Sequence, residues 1–346
     1  MSGDNFSASS HLSVVVTTAA NDEVLTTGGT VITSSSSLGA DFYFQCAVVV
    51  IGVVGAVTNA LVLYAMVVSN QHRKQFLIFN QNIFDLCSSI LLIVIYILKL
   101  CNIYLTGTLG YWLCMIIFSE NLLWTSLNGS HINLVSITVE RYLKVVHHSW
   151  SKKVLRKWLK ISAAAFAWIS GIVYNMALVF STSAVVDGVC YGYVFFKSRV
   201  AGVAHGIWNF ISFYVLVMFI FIFCYGRILV VIRRQASIMA GHGGPGSSTT
   251  TQTQAQQIQS NVIKTMILVT AFYVIMWVPN AIYYFILNVN SSLTLLESGH
   301  YIVVFLAFLY TSANPFIYAV KFDPVKRVLV GLIPWKNSSP STTGSV

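Results

Sequence analysis

The chain has 346 residues, of which 56% are hydrophobic and only 9% are charged. A soluble domain carries roughly 25% charged residues, so this composition favours one membrane domain over two soluble ones. The net charge of +10 does not indicate a nucleic-acid-binding protein, because the basic residues lie in short segments between apolar runs.

Residues 1–41 are rich in Ser, Thr, Gly and Val and are predicted to form a disordered extracellular tail. They lack the basic start and the continuous apolar core of a signal peptide. Asn5-Phe6-Ser7 is a glycosylation sequon, so Asn5 is expected to carry a glycan in an extracellular tail.

Seven apolar segments follow, each near the roughly 20 residues that a membrane-spanning helix needs. They predict an all-α membrane protein, a bundle of seven transmembrane helices within residues 42–320. The segments lie at 42–69, 77–100, 112–145, 159–181, 204–232, 261–288 and 299–320. The second is the least secure, because its first half contains Asn80, Gln81, Asn82 and Asp85.

Basic residues cluster on alternate connections, which predicts an extracellular amino terminus and a cytoplasmic carboxyl terminus. Residues 235–259, rich in Gly, Ser, Thr and Gln, are predicted to form a flexible third cytoplasmic loop. Residues 321–346 are predicted to form a short amphipathic helix after the seventh segment, followed by a cytoplasmic tail.

The third segment forms one helical stripe that is apolar for most of its length and ends in an acid–base pair. Its members are Leu123, Leu127, Ser130, Leu134, Ile137 and Arg141, at spacings of three and four residues. A helix without a charged face, with small polar groups midway, is typical of the centre of a membrane bundle. His131 in this segment suits a metal ligand or proton carrier, or a hydrogen-bonded packing residue.

Asp85 is an acid inside a membrane segment, where such groups are costly and usually functional. With oxygen atoms from Ser130, Asn59 and Asn314, it would suit a small hard cation such as sodium. The alternative is an acid that is hydrogen-bonded to its neighbours for packing alone. No other cofactor is expected.

Pro279 and Pro315 lie inside the sixth and seventh segments, where a proline permits a kink. Two kinked helices near the inner end of the third, at Arg141, predict an inner face with two arrangements. The alternatives are purely structural prolines and an arginine that extends to the membrane interface.

Cys114 and Cys190 both fall on the predicted outer side, where disulfides persist, and a bond between them is expected. Cys101 is the alternative partner for this pair. The chain has no nucleotide-binding loop, HExxH or GxSxG motif, which argues against an enzyme.

The motifs, taken in chain order, resemble those of the rhodopsin-like (class A) G-protein-coupled receptors over residues 42–333. They are Asn59, Asp85, Glu140-Arg141-Tyr142, Trp168, Tyr225, Trp277-Val278-Pro279 and Asn314-Pro315-Phe316-Ile317-Tyr318. The resemblance implies a multi-pass receptor of the plasma membrane that activates a heterotrimeric G protein. Arrestin, receptor kinases and membrane lipids are the other implied partners, and nucleic acid is not.

The resemblance also assigns roles to individual residues. Those implied in the switch and in G-protein coupling are Glu140, Arg141, Tyr142, Tyr225, Asn314, Pro315 and Tyr318. Trp277 and Pro279 would form a toggle in the sixth helix. The implied sodium ligands are Asp85, Ser130 and Asn314.

Several positions depart from the pattern of the family. Val217 replaces the proline that usually accompanies a bulge in the fifth helix, and Tyr310 replaces an asparagine near the sodium site. Gln259 stands where some members carry an acid that holds the arginine of the third helix. Cys114 lies two residues further from Arg141 than usual, which predicts a shifted start of the third helix.

The resemblance also restricts the ligand. Leu123 stands where amine receptors carry an aspartate, and Phe308 stands where opsins carry their retinal-binding lysine. The expected pocket consists of Glu120, Leu123, Trp124, Tyr273, Trp277 and Phe308. Acids at its rim, namely Glu120, Asp187 and Glu297, favour a cationic ligand such as a basic peptide.

Two other functions stay open at this point. The chain could be a membrane transporter or channel that uses Asp85 as an ion site, although it shows no inverted repeat. It could also be a receptor-like scaffold that signals without a ligand. Substrate flux without a G protein would indicate the first, and basal signalling that no ligand changes would indicate the second.

Overall fold

The computed structural model describes residues 35–192, 198–241, 250–289 and 297–332, and these are mostly helical. The predicted seven-helix architecture is confirmed. The seven helices are Ser35–Val68, Phe76–Leu100, Asn121–Val146, Lys157–Thr182, Arg199–Gly241, Thr250–Val289 and Glu297–Lys321, where the fifth contains a π-helical turn at Ile211–Val215. Asn5 and the predicted glycan lie outside the described residues.

Among the described residues, six of these helices are long and apolar enough to cross a membrane. The third does not meet that composition, because Asn, Ser, Thr and His recur along it. These polar side chains face the inside of the bundle, as Ser126, Ser130, His131 and Asn133 do. Large apolar side chains instead face outward across the bundle, which suits a surrounding of lipid.

The remaining elements are short. The helices are Gln71–Lys74, Gly107–Leu113, His148–Val154 and Asp323–Gly331, and a π-helical turn spans Cys114–Phe118. Strands β1 (Ala184–Val186) and β2 (Val189–Tyr191) form an antiparallel hairpin with Val185 opposite Cys190. Its turn, Asp187-Gly188, has positive φ at both residues, which suits the right-handed twist of a hairpin.

The predicted disulfide is confirmed, because Cys114 is bonded to Cys190. The bond attaches the hairpin to the π-helical turn that precedes the third helix, while Cys101 is a free cysteine. A second contact holds the hairpin, since the Leu105 N–H donates to the Gly188 carbonyl at 2.9 Å. The hairpin is thereby held at the end of the bundle where Cys114 and Leu105 lie.

The third helix starts later than the predicted residue 112. The chain turns through the π-helical segment, in which the Ser119 N–H donates to the Cys114 carbonyl at 2.9 Å. Glu120 then adopts a left-handed conformation with φ 61°, and the straight helix begins at Asn121. These two irregularities accommodate the two extra residues between Cys114 and Arg141.

Two other segments differ from the expectation. The fifth and sixth helices extend into the predicted loop 235–259, because residues around Gln254, Ala255 and Gln256 favour helix. The fifth helix has its π-helical turn although Val217 replaces the usual proline. Proline is therefore not required for this irregularity.

The predicted amphipathic helix is present as Asp323–Gly331. Val325 is buried against the bundle, whereas Lys326 and Arg327 are exposed. The apolar side therefore packs on the inner ends of the membrane helices and the basic side is free to face water or lipid headgroups.

Candidate functional site

Asp85 lies completely buried at the centre of the bundle, and the structure brings the predicted trio together around it. Asn314 Nδ2 donates to Asp85 Oδ2 at 2.8 Å, which links the seventh helix to the second. The other carboxylate oxygen accepts from Ser130 Oγ and from Gln81 Nε2, each at 3.4 Å. Gln81 also donates to Ser130 Oγ.

Gln81 belongs to a line of hydrogen-bonded polar side chains, which we call the amide relay: Trp168, Asn80, Asn133 and Gln81. The three amides are buried, and Trp168 is half-buried. The indole Nε1 of Trp168 donates to Asn80 Oδ1 at 3.2 Å. Asn80 Nδ2 donates to Asn133 Oδ1 at 2.9 Å, and Asn133 Nδ2 donates to Gln81 Oε1 at 2.8 Å. The relay connects the fourth, third and second helices and ends at Asp85.

The sequence prediction did not include Asn80, Gln81 or Asn133 in the site. The signal was the polar first half of the second segment, where Gln81 precedes Asp85 by four residues and therefore shares its helical face. The sequence does not predict that Asn133 of the third helix is the partner of Gln81.

The predicted sodium site requires oxygen atoms turned toward an ion. At Asp85, however, two side-chain amides present N–H groups to the carboxylate, and the Ser130 oxygen accepts from Gln81. Asn314 Oδ1 is buried and accepts no hydrogen bond of ordinary distance and angle from the described residues, so it is one oxygen that could face an ion. This donor set does not fit a sodium ion held by Asp85, Ser130 and Asn314.

The predicted toggle lies on the outer side of this network. Trp277 is buried, with its ring centroid 4.3 Å from that of His131 and 6.5 Å from that of Trp124. The rings of His131 and Tyr273 are 5.0 Å apart. Both His131 nitrogens lack a hydrogen-bond partner within the described part of the chain, so the ring acts as a packing residue between aromatic side chains.

The aromatic residues of the predicted pocket pack against one another, and Glu120 is the charged member of the set. Leu123, Tyr273 and Phe308 are buried, whereas Trp124 is half-buried and lies 6.3 Å from Phe308 between ring centroids. Trp124 is therefore the most accessible of these rings.

Glu120 does not stand at the rim as a free acid. It forms an ion pair with Lys99 of the second helix, and the Tyr96 hydroxyl donates to the same Glu120 oxygen at 2.9 Å. The side chain of Glu120 is 14% exposed and that of Lys99 is 28% exposed. Of the other two predicted rim acids, Asp187 is exposed in the hairpin turn, and Glu297 begins the seventh helix.

Arg141 is buried at the inner end of the third helix, where it donates to Gln75 Oε1. Glu140 forms its ion pairs with two lysines instead, with Lys144 at 2.5 Å and with Lys160 at 3.2 Å. The two residues of the acid–base pair thus have separate partners. Within the described part of the chain, Arg141 has a neutral hydrogen bond to Gln75 and an electrostatic attraction to the adjacent Glu140 carboxylate.

Tyr225 joins three helices just above Arg141. Its hydroxyl lies 3.1 Å from the Thr138 hydroxyl and accepts from the Thr270 hydroxyl at 3.1 Å. Because Thr138 donates its hydrogen to the Leu134 carbonyl, Tyr225 must be the donor to Thr138. This chain of hydroxyl groups connects the third, fifth and sixth helices.

The remaining predicted switch residues lie around the same inner region. Pro315 and Tyr318 of the seventh helix are buried. Tyr142 differs, because it is half-buried and turns outward to His147, with 3.3 Å between the hydroxyl and Nε2.

A comparison with protein families matches residues 58–318 to the model described as 7 transmembrane receptor (rhodopsin family). The match covers most of the bundle, from the first helix to Tyr318. A comparison with curated proteins finds no match.

Proposed function

Because the chain belongs to the rhodopsin family of seven-transmembrane receptors, we propose that it binds an extracellular ligand and activates a heterotrimeric G protein. The observation that supports this most is the inner end of the bundle. There, Arg141 is buried beside a tyrosine whose hydroxyl joins the third, fifth and sixth helices. Family members are generally not enzymes.

The mechanism is a shift of population between two arrangements of the bundle. A ligand in contact with Trp124 changes the packing on Trp277, which lies two residues before Pro279. The sixth helix, which contains Pro279, then moves at its inner end, and Thr270 separates from Tyr225. Arg141 leaves Gln75 and becomes available to the G protein.

Other partners follow from the same placement in the plasma membrane, with the amino terminus outside. The inner surface that opens for the G protein also receives arrestin and receptor kinases. Residues 337–346 contain several Ser and Thr residues that such kinases would phosphorylate. The basic side of Asp323–Gly331 contacts anionic lipids.

The ligand is expected to carry a positive charge, as in a basic peptide. Lys99 already forms an ion pair with Glu120, so the cation of the ligand must replace the Lys99 ammonium at that carboxylate. Replacement is feasible because the Lys99 side chain is the more exposed of the two and its ammonium can return to water. Aromatic groups of the ligand would pack on Trp124.

The test is a screen of peptides and small molecules on cells that express the chain, read by calcium and cyclic-AMP reporters. Each active compound is repeated on Arg141→Ala and on the control Arg327→Ala, which changes an exposed arginine of the last short helix. A response that depends on Arg141 but not on Arg327 supports the proposal. Responses that survive Arg141→Ala contradict it.

The ligand chemistry needs a separate comparison. Active basic compounds are tested against neutral analogues on wild type and on Glu120→Gln. The proposal expects the charge preference to disappear in Glu120→Gln while signalling to saturating compound is retained. If Glu120→Gln still prefers basic compounds to their neutral analogues, the cation of the ligand binds a different acid.

A transporter or channel is not favoured, given the family. In the structure, the Asp85 carboxylate is closed in by Gln81, Ser130 and Asn314. Substrate flux into liposomes that contain only the purified protein would support this alternative.

A further inference from the structure

We propose that the amide relay delivers an N–H group to Asp85 in place of a cation, so that this bundle is stabilised without sodium. The proposal concerns the folded protein and does not depend on which ligand or G protein the receptor uses. It departs from the sodium site implied by the resemblance, and the reason is Gln81.

The direction of the relay is fixed by its first member. An indole nitrogen can only donate, so Asn80 must present its oxygen to Trp168 and its nitrogen to Asn133. Asn133 then presents its nitrogen to Gln81. Gln81 has its oxygen occupied by Asn133, and only its nitrogen remains for Asp85.

A second anchor fixes the same direction independently. Asn133 Nδ2 also donates to the main-chain carbonyl of Leu77, at 3.0 Å, and a carbonyl can only accept. If Asn133 were turned over, its oxygen would face both the Leu77 carbonyl and Gln81 Oε1. The nitrogen of Gln81 therefore faces Asp85 whether the relay is followed from Trp168 or from Leu77.

This orientation opposes a cation in two ways. The N–H dipole of Gln81 has its positive end toward the place where the ion would lie, and repulsion at such distances is strong in a buried site. Ser130, a required oxygen ligand, already accepts a hydrogen bond from Gln81. Since a hydroxyl oxygen has two lone pairs, a sodium ion would have to share the Ser130 oxygen with the Gln81 N–H group.

The same contacts explain how Asp85 is compensated. Its carboxylate receives side-chain donors from the second, third and seventh helices, namely Gln81, Ser130 and Asn314. Hydrogen bonds to an ionised group are stronger than neutral ones. They replace the interactions that an ion would supply.

The experiment compares the melting temperature of the purified full chain in sodium chloride and in an equal concentration of N-methyl-D-glucamine chloride. Wild type is expected to melt at the same temperature in both salts. Gln81→Leu removes the N–H group and should create sodium dependence, with a rise of roughly 2 °C when sodium is at about ten times its Kd. Asp85→Asn in the same background should abolish that rise.

Asn82→Leu is the matched control. Asn82 is a buried amide on the same helix, but its Nδ2 donates to the Ile78 carbonyl and not to the relay. It should leave the protein indifferent to sodium. Binding of radioactive sodium to each purified variant gives a second readout that does not depend on unfolding.

Two outcomes overturn the proposal. One is a sodium-specific rise in wild type that Asp85→Asn removes, since the site would then hold the ion despite the relay. The other is a Gln81→Leu variant that stays indifferent to sodium, because another feature would then exclude the ion. If Gln81→Leu does not fold, Gln81→Met, which keeps the length of the side chain and lacks the N–H group, is judged by the same two outcomes.

Discussion

The ion pair between Lys99 and Glu120 gives a quantitative test of the outer end of the bundle. Lys99→Met leaves the Glu120 carboxylate with the Tyr96 hydroxyl as its only described side-chain donor. Glu120→Gln leaves the Lys99 ammonium without its carboxylate, but the Lys99 side chain is more exposed than that of Glu120 and its ammonium can reach water. We therefore expect Lys99→Met to destabilise the protein more than Glu120→Gln does.

The magnitude follows from the burial of the pair. Breaking a fully buried pair costs about 3–5 kcal/mol, and an exposed pair contributes roughly 0.2–1 kcal/mol. With side chains 14% and 28% exposed, this pair lies between those limits, at about 2 kcal/mol. Such a difference corresponds to roughly 3 °C in the melting temperature of a chain of this length.

The assay is a double-mutant cycle on purified protein, with melting temperatures of wild type, both single variants and the double variant. Lys99→Met should cost little in the Glu120→Gln background, because no buried charge is then left unpaired. Lys326→Met, at an exposed lysine of the last short helix, serves as the control and should be additive with Glu120→Gln. Additive effects of Lys99→Met and Glu120→Gln, within about 0.5 kcal/mol, would refute the reasoning.

Three further outcomes are expected. Cys114→Ser should lower stability by about 2–4 kcal/mol, measured by thermal unfolding, whereas Cys101→Ser should change it little. Gly171→Ala should reduce stability and surface expression, because its Cβ would lie 2.6 Å from a main-chain carbonyl oxygen of the third helix, while Gly226→Ala has open space and should be tolerated. Asn5→Gln should abolish the shift in gel mobility on glycosidase digestion, and an unchanged shift would place the sugar elsewhere.

The architecture was predictable because a membrane helix can be identified in a sequence by its length and apolar content. The meeting of Asp85, Ser130 and Asn314 followed from the resemblance, and the disulfide from the outer placement of its cysteines. These features depend on position along a helix or on the side of the membrane. Both are contained in the sequence.

The partners of Asp85 and Glu120 were not predictable in the same way. Asn133 meets Gln81 only because the second and third helices have a particular rotation, which no single segment encodes. Glu120 meets Lys99 because the chain breaks with a left-handed residue before Asn121, although neither Gly nor Pro marks the place. The only sequence signal was the two extra residues after Cys114.

Arg141 is the residue that we propose converts the movement of the sixth helix into G-protein activation. The most direct measurement uses the purified receptor in liposomes with a purified heterotrimeric G protein and an agonist from the screen. Nucleotide exchange should rise with agonist for wild type and stay at its basal rate for Arg141→Ala. Agonist affinity in the absence of G protein should be equal for both, since Arg141 lies at the inner end of the third helix. Full agonist-dependent exchange by Arg141→Ala would contradict the account.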